Sequence, residues 1–401
     1  MLKIDEAAAV KTVMDLISIS GGSCDEVRVS EWLQKQLLAL GVPQSAISVD
    51  TAHQRSPSGG VTGNLIVKLP GTLKGPRRLL MAHMDTVPLA VGCQPVHDGN
   101  IIRPAKRTTA LGGDDRSGCA VVLTAIREIF KQKLPCPPLT LLFTVQEEIG
   151  LRGARYVTAA KLGKPQLCFN WDGRDPGLLV NGAVGSSYLR IGIEGIASHA
   201  GVHPENGVNA AVIASLAIAD LQQNGWHGLV LKGRQRGASN VGVIRGGAAT
   251  NVVMPELTIE AEARSHIPAF RNRIVKEFRR AFESAVRQVK TAAGETGRLM
   301  FEEDVRYESF RIPKSSECVQ TAMKAVQACG LQPEVHPCDG GLDANWMTLH
   351  GFPTVTLGCG QHAIHTVDEI LNVSQFLSAC RIAVLIASDA ANSPSRSAGV
   401  C

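Results

Sequence analysis

Two adjacent carboxylates, Glu147 and Glu148, stand where a buried strand runs out. From Leu141 the chain passes through Leu142, Phe143 and Val145 into the two acids and then Gly150. Apolar and β-branched residues giving way to a glycine read as a strand entering a loop. Two carboxylates at such an edge repel each other, and leaving both unpaired is costly. A nearby cation removes the conflict: one acid binds the metal and the other stays free to carry a proton. An acidic doublet alone is also ordinary solvated surface, so this pair gains its meaning from the company it keeps.

That company is four further segments of ligand type. His83 and Asp85 follow a strand at 78–83. Two residues apart in extended backbone, they point to the same side. His83 can ligate through one ring nitrogen while Asp85 accepts the proton of the other, which fixes the tautomer. Asp114 and Asp115 follow Gly112 and Gly113 just before a helix, where a carboxylate can bridge two metals or simply cap the helix. Asp172 ends a strand at 166–171 and precedes Gly173. His362 and His365 follow a strand at 353–357 and the run Gly358, Cys359, Gly360. Each segment alone has a bland reading as a turn, a cap or a structural histidine. Together they place imidazole and carboxylate donors at one strand end after another, and α/β folds build their sites at the carboxyl ends of strands. The donor set, with no group of thiolates, suits zinc, cobalt or manganese. Two such ions about 3.5–4 Å apart with a shared carboxylate form a hydrolase arrangement.

The elements that must position these groups alternate. Helical spacing covers 7–19 and 26–40, and strands are expected at 62–69 and 78–83. A helix follows at 118–132, then a strand at 139–146, a helix near 153–162 and a strand at 166–171. Alternation of this kind gives an α/β layer structure. From 186 the pattern changes to strand, helix, strand, strand, helix (186–196, 207–223, 240–246, 253–263, 270–290), an α+β unit read as an insertion. The α/β pattern is expected to resume with strand 299–306, followed by helix 316–329, strand 353–357 and helix 374–388. The expected organisation is a catalytic domain at 1–183 and 296–390, an inserted domain at 184–295 and a flexible tail at 391–401.

The 401 residues exceed one ordinary core. With 44% hydrophobic and 19% charged residues the composition is that of a globular enzyme. A formal charge of +5 without an aromatic-interleaved basic stripe gives no footing for nucleic acid. The residues Met1 to Glu6 do not read as a signal peptide, and no apolar run is expected to span a membrane. Eleven cysteines without CxxC spacing fit reduced thiols, and the expected location is the cytoplasm.

The ordered set of segments resembles the di-zinc exopeptidases that include peptidase T, glutamate carboxypeptidase, acetylornithine deacetylase and succinyl-diaminopimelate desuccinylase. It is most similar to the peptidase T-like members, over about residues 5–388. The resemblance implies a mixed sheet flanked by helices, interrupted by an α+β lid and dimerisation domain. It implies two divalent metal ions, zinc with cobalt or manganese as alternatives. His83, Asp114 and Asp172 would hold one, and Asp114, Glu148 and His365 the other. Asp85 would orient His83, and a cis peptide often follows the aspartate at the position of Asp114. Glu147 would be the general base acting on a metal-activated water. In the inserted domain His199 resembles the lid histidine that reaches the active site. Asn251 and Arg264 resemble residues that hold substrate oxygens, and Gly341 lies in a segment resembling the glycine loop beside the pocket, where substrate approaches the backbone.

Aspartate at the position of Asp172 goes with aminopeptidases and dipeptidases, so the resemblance points to hydrolysis of short peptides from the amino end. The segment from Gly246 to Asn251 is shared more broadly, including by carboxypeptidases. The alternatives are therefore a carboxypeptidase or an N-acyl amino acid amidohydrolase with the same metals, and more remotely a non-catalytic peptide-binding protein. The expected partners are a peptide and, through the inserted domain, a second copy of the chain; no nucleic acid or membrane is expected.

Overall fold

A computed structural model describes residues 2–388, so the tail expected at 391–401 lies outside the described residues. The chain divides into two compact units. One comprises Met1–Gly182, Arg311–Cys338 and Leu342–Cys401; the other comprises Ala183–Phe310 with Asp339–Gly341.

The first unit is built on a nine-stranded mixed sheet. At its centre are β1 (Arg78–His83), β2 (Leu139–Thr144), β3 (Leu167–Trp171) and β4 (Thr354–Leu357). They lie side by side in the order β2, β1, β3, β4 and run parallel. All four are buried almost throughout, as strands covered on both faces must be. That explains why they read as continuous apolar runs and not as alternation. Strands Leu65–Leu69 and Leu178–Ala183 flank this core in the antiparallel sense.

Register brings the carboxyl ends level. His83 lies opposite Thr144, Met81 opposite Asn170, and Leu357 opposite Trp171. Continuing the β1–β3 register sets His83 beside Asp172 on the same face. Helix α1 (Gly113–Gln132) packs on β1 and β3 and between helices Glu6–Ser18 and Val373–Ala387. On the sheet a further cluster gathers Leu79, Met81, Leu142, Cys168 and Met347. Each such side chain taken out of water contributes about 1.5–3 kcal/mol, and the strands that carry the site are anchored in this buried cluster. The helix expected near 153–162 is instead a single turn, Arg152–Arg155, and a 3₁₀ turn, Ala159–Leu162.

The second unit is a five-stranded antiparallel sheet with two helices. Leu189, Ile191 and Ile193 of strand Gly185–Glu194 and Ile259, Ala261 and Ala263 of strand Glu256–Ser265 alternate inward. They meet Phe270, Ile274, Phe278 and Phe282 of helix Pro268–Gln288, spaced four residues apart on one face. The strand expected to restart the α/β pattern belongs here instead. Arg298–Tyr307 pairs antiparallel with Gly185–Glu194, placing Leu299 opposite Ile193 and Phe301 opposite Ile191. Leu299 and Phe301 pack on this unit's core while Met300 is exposed. The inserted unit therefore runs to Phe310 and not to 295.

Candidate metal centre

Each candidate ligand in the first unit sits where one of the central elements ends. His83 is the last residue of β1 and Asp172 follows β3 directly. Glu147 and Glu148 follow β2, and His365, with a left-handed backbone, lies in the turn after the short strand Gln361–His362 that succeeds β4. Asp114 stands at the start of α1, where Gly112 is also left-handed and an added Cβ would press on Ala90 at 3.1 Å. Asp114 and Asp115 depart from helical geometry, and the peptide bond between them is cis. Helix α1 continues past Gly118, which lies so near β3 that a Cβ would meet the Trp171 carbonyl oxygen at 2.2 Å.

These placements converge on Asp114. Its Oδ1 lies 3.1 Å from His83 Nε2, and its Oδ2 lies 3.2 Å from His365 Nε2. His365 Nε2 also lies 3.0 Å from Glu148 Oε1. Two groups of ligand atoms result, His83 with Asp114 and Asp172, and Asp114 with Glu148 and His365, each within 4.8 Å of one another. One carboxylate is thus common to both.

The chemistry of this donor set fits two cations. His83 Nδ1 faces the Asp85 carbonyl oxygen at 3.0 Å, so that nitrogen carries the proton and Nε2 presents a lone pair. That lone pair points at a carboxylate oxygen, an arrangement that needs a proton or a metal ion between them. The protein's electrostatics express the same demand. Burial pushes the His83 imidazolium down, but hydrogen bonds to Asp114 and Asp85 carry it well above its ordinary value. His365, bonded to Asp114 and Glu148, is pushed up to about 10. Burial, then the Asp114 charge, raises Asp172 well above the usual carboxylate range. Concentrated negative charge without a cation forces protons onto its neighbours.

Glu147 belongs to neither group. It is 9% exposed, and no hydrogen bond holds its carboxylate among the described residues. Burial above all, then the charges of Asp172, Glu148 and Asp343, raises its proton affinity, against a lowering by His83.

Asp85 does more than the sequence reading assigned to it. Its carboxylate is 3.4 Å from His83 Nδ1, which is nearer to the Asp85 backbone carbonyl. The shorter bonds run elsewhere: Oδ1 accepts from the Glu147 N–H at 3.0 Å, and Oδ2 from the Glu148 N–H at 3.2 Å and the Ser23 hydroxyl at 2.6 Å. Asp85 therefore fixes the backbone that carries both glutamates. Asp85→Asn turns an amide N–H₂ toward one of these donors, and turnover is expected to fall about 10–100-fold. Steady-state kinetics check this, and unchanged turnover would remove Asp85 from the site.

Two supporting residues have roles that the sequence did not assign. Asp115 accepts from the His83 N–H, the Gly118 N–H and the Gln361 side-chain amide, so the second acid of the pair is scaffold and not ligand. Glu26, fully buried, accepts from the Gln146 N–H, and burial raises it to about 7. Apart from the bond to Gly118, these contacts join residues 32 to 246 positions apart, a distance over which sequence pattern is silent.

The remaining candidates lie in the second unit. His199 and Asn251 are brought together: His199 bridges to Val252, and the Ala200 N–H donates to the Asn251 carbonyl at 2.9 Å. His199 Nδ1 accepts from the Gly201 and Val202 N–H groups, which leaves Nε2 as the outward donor. Arg264 is engaged as a fork by Glu262, at 3.1 and 2.9 Å. At Gly341 the close approach is to protein: an added Cβ would meet the Tyr307 ring and hydroxyl at 2.3–2.7 Å. Tyr307 is reason enough for a glycine at that position.

A parallel-centred α/β unit with acids and histidines at its strand ends, carrying an α+β insertion, is the build of a metallopeptidase. Residues 79–389 match Peptidase family M20/M25/M40, and the chain belongs to that family. It is a hydrolase acting on peptide bonds, of peptidase T-like type, as the motifs implied. The chain is 30% identical to the uncharacterized protein YqjE of Bacillus subtilis (strain 168), covering 97% of this chain and 100% of that one. Its structure is similar to that of a tripeptidase from Staphylococcus aureus subsp. aureus Mu50, with TM-score 0.87, 29% identity, and 97% and 100% of the two chains covered. It is also similar to aminopeptidase PepT from Bacillus cereus ATCC 10987, with TM-score 0.82, 30% identity, and 96% and 98% covered. Among the described residues no helix is long and apolar enough to cross a membrane.

Proposed function

We propose that the protein is a two-metal aminopeptidase releasing the amino-terminal residue of short peptides, tripeptides above all. The observation that carries this reading is Asp114, which turns one oxygen toward each histidine and so joins two ligand groups. His83, Asp114 and Asp172 would hold one cation and Asp114, Glu148 and His365 the other, zinc being the ion that imidazole and carboxylate donors suit best here. Bound there, the cations would supply Lewis acidity and a water acidified for attack at neutral pH.

The residues of the chain then divide the work. Glu147, buried and held by no hydrogen bond, takes the proton of the attacking water on its carboxylate and returns it to the leaving amine. Asp85 keeps Glu147 and Glu148 in place through their N–H groups, so the base does not drift while it exchanges its proton. His199, with Nε2 free of the bonds that hold Nδ1, would offer a hydrogen-bond donor to the peptide. Asn251 and Arg264 supply polar groups for the peptide. A homodimer through the second unit and a cytoplasmic setting complete the reading.

Substrate class is tested by offering free tripeptides, carboxyl-terminal-blocked peptides and N-acetyl amino acids to the purified enzyme and identifying products by mass. Release of the amino-terminal residue from tripeptides is the expected result. Turnover of N-acetyl amino acids in preference to peptides would replace the aminopeptidase with an amidohydrolase.

A further inference from the structure

The turn that presents Asp114 is gripped by a carboxylate that lies outside both ligand groups. Glu369 is 1% exposed. Its Oε2 accepts from the N–H groups of Leu111 and Gly112, each at 3.0 Å, and its Oε1 accepts from the N–H of Asp114 at 3.1 Å. Bonds from backbone N–H to an ionised acceptor are roughly twice as strong as neutral ones, and here three fall on consecutive parts of one turn. Gly113, the residue without a bond to Glu369, packs against it, since a Cβ there would sit 3.3 Å from Oε1. The Gly113 carbonyl is taken from another side by the Gln361 amide at 3.1 Å.

Gln361 and Glu369 bracket one segment of chain, and between them lies His365. Strand Gln361–His362 pairs with strand Ile370–Asn372, which pairs in turn with Ile101 and Ile102. The segment is thus pinned at both ends to a small sheet. One stretch of nine residues delivers a histidine to one oxygen of Asp114 and a carboxylate to the turn behind it.

We propose that Glu369 is a positioning residue of the metal centre, its carboxylate setting the Leu111–Asp114 turn so that Asp114 offers one oxygen to each ligand group. This rests on the reading of Asp114 as the shared ligand. Glutamine in its place keeps one acceptor oxygen and turns an N–H₂ against a backbone N–H. The turn then relaxes, and both cation sites loosen together because they share Asp114.

The test is zinc affinity of the metal-stripped, full-length protein, measured by competition with a chromogenic chelator. Glu369→Gln is expected to weaken both sites about 10–100-fold, to lower kcat more than it changes KM, and to lower the melting temperature of the stripped protein by only a few degrees while it stays folded. Glu369→Asp, which keeps the charge, should recover part of the affinity. Asp368→Asn, at the exposed neighbouring acid, should change nothing. Wild-type zinc affinity in Glu369→Gln would overturn the proposal, as would loss at one site only. Where Glu369→Gln fails to fold, Glu369→Asp with wild-type affinity at both sites would overturn it equally. Failure of the wild-type protein to bind zinc would instead refute the reading of the centre itself.

Discussion

Glu147→Gln should keep its metal and lose most of its turnover, with kcat falling about 10²–10⁴-fold, the usual contribution of a positioned general base. Glutamine matches glutamate in shape and cannot accept and return a proton. Glu147 stands outside both ligand groups, so the substitution leaves every donor in place. Its backbone N–H remains bonded to Asp85, so the loop holding Glu148 does not move. Metal analysis alongside single-turnover kinetics checks both halves of this expectation. Near wild-type turnover would assign the proton to another group. Loss of metal together with turnover would mean that Glu147 is itself a ligand.

Asp114→Ala should be the more damaging change, because it removes a donor from both groups at once. Asp172→Asn and His365→Ala each touch one group only. The expected pattern is loss of both cations in Asp114→Ala and of one in each of the other two. Lewis-acid stabilisation is worth several kcal/mol, which converts to a fall of about 10³-fold or more in kcat/KM. Metal content of the three variants after dialysis distinguishes the pattern. Equal loss in all three would show that the two groups are not separate sites, and retention of both ions in Asp114→Ala would show that Asp114 bridges nothing.

How much of this was legible follows from what each signal depends on. The strand ends were legible because parallel strands buried on both faces read as unbroken apolar runs, and a charged residue closing such a run stands out. His83, Glu148 and Asp172 were singled out in this way, and each lies at or just past the end of a buried parallel strand. Strand Arg298–Tyr307 was misplaced because the existence of a strand says nothing about its partner. Its alternation, with Leu299 and Phe301 packed and Met300 exposed, is that of an antiparallel edge strand and unlike the runs of β1 and β2. Attention to that difference would have assigned it to the second unit. The helix near 153–162 reduced to short turns, since spacing alone cannot show where a chain stops propagating.

Supporting residues were less visible than ligands. The work of Asp85 on Glu147, of Asp115 on His83 and of Glu369 on Asp114 runs through backbone N–H groups, which every residue but proline possesses. No residue type marks the receiving end of such a bond. Gly341 shows the converse: the glycine was read as a place where substrate approaches the backbone, and the folded chain sets the Tyr307 ring against that position.

The central claim is that residues at four strand ends and one helix start assemble two cation sites sharing Asp114, and that these drive peptide hydrolysis. Zinc titrated into the metal-stripped enzyme, with bound equivalents counted while tripeptide turnover is followed, tests it most directly. The account predicts about two equivalents bound per chain, with turnover appearing as they fill and the amino-terminal residue released. Saturation at one equivalent with full activity, or tripeptide turnover by the stripped enzyme, would contradict it.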